Sequence, residues 1–162
     1  MEKIWAPWRS KYILVKDQEE GCILCNRIKQ EKDTENYILH RSKSCFIIMN
    51  IFPYNNGHLM VTPYKHTTLF DDLKIEEGAD LFATLTLSLK ILKESFHPDG
   101  FNVGMNLGRV AGAGINDHFH IHVVPRWNGD TNFMPVLTDT KILSVSLNET
   151  YKLLREALKE LL

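Results

Sequence analysis

Three histidines alternate with apolar residues in the stretch Asn116-Asp117-His118-Phe119-His120-Ile121-His122-Val123-Val124-Pro125-Arg126-Trp127, and no other run in the chain constrains the fold so tightly. The pattern has period two, the period of a β-strand. It predicts that His118, His120 and His122 share one face while Phe119, Ile121 and Val123 turn to a core. Strand geometry spaces successive histidines on that face by roughly 6.5–7 Å. Such a row can surround one phosphate or help to hold one metal ion. Pro125 lacks a backbone donor and marks where central pairing ends.

With 162 residues the chain is long enough for one domain with a real core, so 1–162 is read as a single domain. The net charge of −1 excludes a broadly basic surface and with it a nucleic-acid polymer as partner. No apolar run approaches the ~20 residues of a membrane span. Met1-Glu2-Lys3-Ile4-Trp5 lacks the apolar core of a signal peptide. The 3 cysteines, an odd number, make no disulfide framework, and the expected compartment is the cytoplasm.

Trp5, Pro7, Trp8 and Tyr12 suggest that Met1–Gln18 packs down, against the domain or a second copy. Gly21-Cys22-Ile23-Leu24-Cys25 contains a CxxC, readable as a redox pair or as half of a zinc site; the second is favoured, with 7 histidines available to complete it. Cys45 sits among apolar residues and reads as a core side chain. A short helix or loop is expected over Asn26–Asn36. Strands are expected over Tyr37–His40, Cys45–Asn50 and His58–Pro63, the last two joined by the turn Pro53-Tyr54-Asn55-Asn56-Gly57 and therefore antiparallel. The stretch Asp71–Phe96 carries a strand-like alternation at Leu85, Leu87, Leu89 and Ile91. It is nevertheless too long for a strand, opens with acids and closes with lysines, so it reads as a helix with Leu81, Leu85, Leu89 and Leu92 inward. Phe101–Leu107 reads as a strand and Gly108–Asp117 as a glycine-rich loop. Trp127–Leu143 reads as irregular. Ser146-Leu147-Asn148-Glu149 is a capping box opening a C-terminal helix. The sum is an α+β fold with a mainly antiparallel sheet, one long central helix and a C-terminal helix.

An imidazole row beside a glycine-rich loop suits three chemistries. One histidine can attack phosphorus as a neutral nucleophile, with loop N–H groups from Gly112 to Ile115 stabilising the phosphoryl oxygens. The row can bind a metal ion, completed by Cys22 or Cys25. Or it can simply bind an anion. The residues alone do not rank these.

His118-Phe119-His120-Ile121-His122-Val123-Val124 resembles the signature of the histidine-triad (HIT) superfamily. Asn50, Pro53 and Gly57-His58-Leu59-Met60-Val61-Thr62-Pro63 resemble its substrate-side strands, and Asn106-Leu107-Gly108 with Ala111-Gly112-Ala113-Gly114 its phosphate loop. This core spans about Cys22 to Trp127. The flanks, Trp5-Ala6-Pro7-Trp8-Arg9 and the run from Pro125 through Asp130 to Met134, are similar to the diadenosine polyphosphate hydrolase and phosphorylase branch. The resemblance implies cleavage of dinucleoside polyphosphates through a nucleotidyl-His120 intermediate, with water or inorganic phosphate as acceptor. It implies that His122 assists the leaving group and His58 supports the triad. Asn50 would bind ribose, Ile48 and Met60 would line the base pocket, and Asn106, Gly112, Gly114 and Ile115 would lie along the phosphates. By similarity to galactose-1-phosphate uridylyltransferases, Cys22, Cys25, His66 and His118 would hold a structural zinc, with His40 competing as third ligand; His118 then anchors the strand instead of reacting. A homodimer with a sheet continued across its two-fold is also implied. The alternatives are a nucleoside phosphoramidate hydrolase, a non-catalytic zinc-stabilised nucleotide-binding module, and a metallohydrolase built on the histidine row. Gly114-Ile115-Asn116 lacks the serine that phosphoramidate hydrolases commonly carry just before the triad.

Overall fold

Each strand of the sheet alternates its side chains between two layers, and both layers are covered over the central strands. In the computed structural model, which describes residues 20–131 and 143–162, the elements run α1 (Ile23–Lys29), β1 (Ile38–Arg41), β2 (Cys45–Met49), β3 (Leu59–Pro63), α2 (Ile75–Phe96), β4 (Gly100–Gly104), β5 (Ile121–Arg126) and α3 (Leu147–Leu161). The five strands form one antiparallel sheet in the order β1-β2-β3-β5-β4. This is the expected α+β class. The aromatic segment Met1–Gln18 and most of the irregular stretch Trp127–Leu143 lie outside the described residues.

Parity sorts the sheet. Ile47, Met49, Leu59, Val61, Phe119, Ile121 and Val123 face the main core with α2 and α3. Ile38, Phe46, Ile48 and Met60 face the opposite side, where Cys22, Leu24 and Ile115 cover them. Burying each such aliphatic side chain contributes about 1.5–3 kcal/mol. The apolar core and the ligand-facing layer are therefore two sides of the same three strands.

The long helix is confirmed over Ile75–Phe96, preceded by a 3-10 turn at Phe70–Asp72. Its inward face differs in detail from the leucine stripe expected. Leu81, Thr84, Ser88, Ile91 and Leu92 are buried, whereas Leu85 and Leu89 are only partly covered. Small residues at 84 and 88 let the helix lie close to the sheet, with Thr84 Oγ1 3.2 Å from Cys45 Sγ. Gly57 belongs to the same close approach. It holds φ +78°, and a Cβ there would sit 3.0 Å from Leu92 Cδ2. At the helix end His97 takes the left-handed C-cap conformation, φ +46°.

Several boundaries move. The helix around the CxxC starts earlier than expected, so Cys22 is its N-cap and Cys25 lies in its first turn. β4 is shorter than the expected Phe101–Leu107 strand because the chain leaves the ladder at Met105 to enter the glycine loop. Ladder pairing of the histidine stretch begins only at Ile121. Its pairing with β3 ends at Val123, as the proline requires, while pairing with β4 continues to Arg126 on the other side. One half of the expected capping box forms: Ser146 Oγ accepts from Glu149 N at 3.2 Å.

β1 carries a bulge between Ile38 and His40. Its freed carbonyls are met by α3, where Tyr151 Oη donates to Ile38 O at 2.8 Å and Arg155 Nη1 to Leu39 O at 3.0 Å. The next turn is tied to α2 by Asp80, which accepts from Ser42 Oγ at 2.6 Å, Ser44 N at 2.7 Å and Ser44 Oγ at 2.7 Å. Burial raises the Asp80 pKa, but those bonds together outweigh it and hold the carboxyl down at about 2. Because the folded pKa lies below the unfolded one, this stabilisation is complete above about pH 4 and is lost as pH falls toward 2. Asp80→Ala is expected to cost about 1–3 kcal/mol at pH 7. Urea unfolding at pH 7 and at pH 3 checks this, since the difference from wild type must shrink at the lower pH.

Candidate active site

Two imidazoles of the row open onto one slot in the ligand-facing layer. His120 and His122 line a cavity together with Ile48, Asn50, Met60, Gly114 and Ile115, all of them expected site residues, and with Ile23, Arg27, Asn36 and Tyr54, which were not. The walls nearest the histidines are apolar, as suits a flat base or sugar. The two rings stand edge to face with centroids 4.8 Å apart.

The tautomers follow from the partners, because a carbonyl only accepts and a backbone N–H only donates. His120 Nδ1 lies 2.9 Å from His118 O, so it carries the proton, and the Nε2 lone pair is left for chemistry. Tyr54 N donates to His58 Nδ1 at 3.1 Å. His58 Nε2 therefore holds the proton and donates to His122 Nδ1 at 2.9 Å. That leaves neutral His122 with its proton on Nε2. One ring is thus set as a nucleophile and its neighbour as a donor. Burial lowers the pKa of His120 and, helped by His122 and His120, that of His58 to about 3, which keeps both rings neutral at pH 7.

His118 turns away from this pair. Its Nε2 donates to Pro63 O at 2.9 Å, which aims the Nδ1 lone pair at the cysteines. Cys22 Sγ lies 3.3 Å and Cys25 Sγ 3.5 Å from His118 Nδ1, and Cys25 Sγ lies 3.4 Å from His66 Nδ1. All four donor atoms lie within 4.8 Å of one another. Zinc–sulfur bonds near 2.3 Å and zinc–nitrogen bonds near 2.0 Å imply tetrahedral edges of roughly 3.3–3.8 Å, so these four residues fit one metal ion. The carbonyl on His118 Nε2 is the outer hydrogen bond that metal-ligating histidines commonly make. Burial holds the Cys22 thiol up at about 11, as expected of a thiol packed among apolar groups. His40, the competing ligand, is elsewhere. The β1 bulge pairs it with Ile47 and so puts it on the core-side layer, opposite the cysteines.

The other expected residues divide. His58 stands behind His122 and out of the slot. Asn50 Oδ1 accepts from Phe52 N at 2.9 Å, which orients its amide at the slot's rim. Asn106 lies in a second cavity beyond His122, where its Nδ2 closes the glycine loop by donating to Gly112 O at 3.3 Å. Gly112 holds φ +83° within that loop and is not on the slot wall.

Sequence reading missed the residues that anchor the 118–120 segment. Thr62 Oγ1 donates to Phe119 O at 2.7 Å, and Phe119 N donates to Thr67 O at 2.6 Å. Both bonds replace ladder pairing that begins only at Ile121. Register could have exposed Thr62, because β3 and β5 place it opposite His120 once Met60 faces His122. Arg27 was missed as well; its Nη1 donates to Asn36 Oδ1 at 3.1 Å across the slot's far end, and nothing in the charged run Asn26–Asn36 distinguishes it from a solvated face.

The antiparallel sheet thus presents one lone-pair imidazole and one donor imidazole to an apolar slot, an arrangement suited to nucleophilic attack beside a hydrogen-bond donor. The HIT domain profile matches residues 31–129, and the chain belongs to the HIT family. It is 35% identical over 161 residues to a protein of Mycobacterium tuberculosis named AP-4-A phosphorylase, a match covering 95% of this chain and 83% of that one. It is 32% identical over 91 residues to a bis(5'-adenosyl)-triphosphatase of Saccharomyces cerevisiae, covering 56% of this chain and 44% of the other. Among solved structures, a zinc-bound histidine triad family protein from Mycobacterium smegmatis superposes with TM-score 0.70 at 28% identity, covering 87% of this chain and 95% of that one.

The tautomer pattern is directly measurable. Nitrogen-15 chemical shifts at pH 7 are expected to show the proton on Nδ1 in His120 and on Nε2 in His58 and His122. His58 is expected to stay neutral below pH 5. Its folded pKa is below the unfolded value near 6.5, so unfolded His58 takes up a proton that the folded ring refuses. Stability should therefore begin to fall as pH drops through about 6.5, well above the range in which Asp80 acts. A His58 that titrates near 6.5 in the folded protein would refute the network.

Proposed function

We propose that this protein cleaves dinucleoside polyphosphates, such as diadenosine tetraphosphate, through a covalent nucleotidyl-His120 intermediate. The observation that carries the reading is the opposite tautomers of His120 and His122 at one end of a base-sized apolar slot. His120 Nε2 attacks the α-phosphorus and the P–O bond to the polyphosphate chain breaks. The departing oxygen keeps the electron pair, and His122 Nε2–H hydrogen-bonds to it. In the second step an oxygen of water or of inorganic phosphate forms the new bond to phosphorus while the N–P bond breaks and its electron pair returns to His120 Nε2; an attacking water also releases one proton to solvent. Ile48, Met60 and Ile115 hold the base, Asn50 the ribose, and Gly114 lies along the phosphates; Asn106 and Gly112 shape the loop beside them. The names of the Mycobacterium tuberculosis and Saccharomyces cerevisiae relatives support this substrate class.

Cys22, Cys25, His66 and His118 are proposed to hold a structural zinc. The set supplies four protein ligands, and it includes neither His120 nor His122, which argues against the histidine row as a catalytic metal site. The zinc-bound Mycobacterium smegmatis neighbour supports the choice of metal. His118 carries the link to catalysis, because its ring faces the metal ligands while its carbonyl holds the His120 proton. Three free cysteines suit a reducing compartment, in line with the cytoplasm. β4 is an edge strand with Val103 exposed and Met105 exposed just beyond its end, and Ile75 and Phe82 of α2 are exposed too; both features suit a homodimer that continues the sheet.

A phosphoramidate hydrolase fits less well, since the residue offered to the slot before the triad is Ile115, which has no proton to give a departing amine. The experiment is product analysis with diadenosine tetraphosphate in oxygen-18 water, with and without inorganic phosphate. Labelled AMP plus ATP means hydrolysis; phosphate-dependent ADP plus ATP means phosphorolysis. Turnover under neither condition rejects the proposal. His120→Ala should lose at least about 10³-fold in kcat while still binding AMP, which separates an enzyme from a binding module.

Zinc has its own test. Chelation is expected to lower Tm and to release about one zinc per chain by metal analysis, with activity falling in step with the loss of structure. Immediate loss of turnover in a still-folded protein would instead point to a catalytic metal.

A further inference from the structure

Pairing between β3 and β5 ends at Ile121, one residue short of His120, and a proline lies behind it. On its other side β3 bonds β2 through its even-numbered residues, with Asn50 N donating to His58 O and Tyr64 N to Ser44 O, each at 2.9 Å. Backbone groups point to alternate neighbours along a strand, so the odd-numbered residues of β3 serve β5. The register Leu59↔Val123 and Val61↔Ile121 continues to Pro63 opposite Phe119. Pro63 has no N–H, so Phe119 O receives nothing from the ladder. Taking the reaction proposed above as its premise, we propose that Thr62 is a positioning residue: its hydroxyl replaces the amide that Pro63 lacks and holds the peptide unit between Phe119 and His120, so that His120 Nε2 is aimed at phosphorus.

Thr62 Oγ1 lies 2.7 Å from Phe119 O, and since a carbonyl only accepts, the hydroxyl donates. Thr62 is completely buried and lines neither the slot nor the cavity beyond it, so it acts through the backbone and not on the substrate. Without that donor the Phe119 carbonyl would turn to find another partner or stay unpaired in a buried layer. The preceding peptide unit is held from its other end. Phe119 N donates to Thr67 O at 2.6 Å. A peptide unit is planar, so this bond also sets His118 O, the acceptor of His120 Nδ1 at 2.9 Å. Pro63 O, which a continued ladder would offer to Phe119 N, is taken by His118 Nε2 instead. Thr62 and Thr67 therefore hold the two peptide units on either side of Phe119, and the unit that Thr62 holds leads directly into His120.

The His120 ring is tied to a carbonyl two residues earlier, so its direction follows the backbone of this segment. Rotation of the Phe119–His120 unit carries His120 Nε2 with it. Attack needs the reacting atoms roughly 3–3.5 Å apart and aligned, and a misplacement of about 1 Å can cost about 10²-fold in rate. The slot walls at Ile48, Met60 and Ile115 are packed within their own layer and do not depend on that hydroxyl. Removing it should therefore lower kcat and leave KM nearly unchanged.

The full-length protein tests this with Thr62→Val, which deletes the hydroxyl at nearly constant volume, and Thr62→Ser, which keeps it. With diadenosine tetraphosphate as substrate, Thr62→Val should lose at least about tenfold in kcat while KM and the affinity for AMP stay within about twofold of wild type. Thr62→Ser should regain kcat to within about threefold of wild type. A folded Thr62→Val with wild-type kcat overturns the proposal, as does an equal loss of kcat and AMP affinity, or a serine variant as slow as the valine one. Thr62→Cys puts a weak donor in the same place and supplies the comparison if the valine variant does not fold. Its kcat should lie at least about threefold below that of Thr62→Ser, and equality overturns the proposal. A second arm needs no turnover. Exchange of the His120 Nδ1 proton with solvent, followed by nitrogen-15 NMR at pH 7, should be at least about tenfold faster in Thr62→Val than in wild type or Thr62→Ser, while core amides such as that of Ile47 keep their rates. Unchanged exchange overturns the positioning even if the enzyme is active. Faster exchange in a protein that cleaves no dinucleotide overturns the assigned reaction and leaves the hold of Thr62 on His120 standing.

Discussion

Each histidine of the row 118, 120 and 122 has at least one nitrogen committed to the protein, and the chemistry of the site depends on which one. A ring buried in a β-layer must satisfy its polar atoms or lose stability. His118 spends Nε2 on Pro63 O, His120 spends Nδ1 on His118 O, and His122 receives a proton at Nδ1 from His58. What each has left then differs: a lone pair toward the thiols, a lone pair toward the slot, and a proton toward the slot. Three side chains of one type thus acquire three roles with no change of residue, only of hydrogen-bond partner.

That division requires the 118–120 segment to hold still where it has no ladder. The sheet stops pairing at Ile121, and the segment is instead gripped by Thr62, the Thr67 carbonyl and the cluster of Cys22, Cys25 and His66. Free of ladder geometry, the rings can approach to 4.8 Å between centroids, well inside the strand repeat. The same release from pairing turns the His118 ring toward α1 while its carbonyl remains with His120. A metal ion in the cluster would therefore brace the nucleophile through one residue, and α1 would be held to the sheet by the same bonds.

Much of this was legible because period-two patterning is a property of the backbone. The alternation of Phe119, Ile121 and Val123 with the histidines identified both layers, and the structure keeps that parity even outside the ladder. The turn at Asn55-Asn56-Gly57 and the cap at Ser146 were readable for the same reason: their chemistry is local. The inner face of α2 was misjudged because close packing selects Thr84 and Ser88 over larger leucines, and only the distance between helix and sheet decides that. The competition between His40 and His66 could not be resolved from spacing, since a single bulge in β1 reverses the face that a histidine takes.

The sequence by itself determined the fold class, the two layers of the sheet, the family and the group of side chains available for chemistry, because these follow from periodicity, turn residues and motif spacing along one stretch of chain. Only the tertiary structure decided which protein group each imidazole nitrogen meets, that four ligands distant in sequence converge to within 4.8 Å, and that two cavities meet at His122. Those facts depend on hydrogen-bond partners contributed by other strands, at separations of 55 residues for His118 with Pro63 and 64 for His122 with His58. Local sequence has no access to a partner that arrives only when the chain has folded.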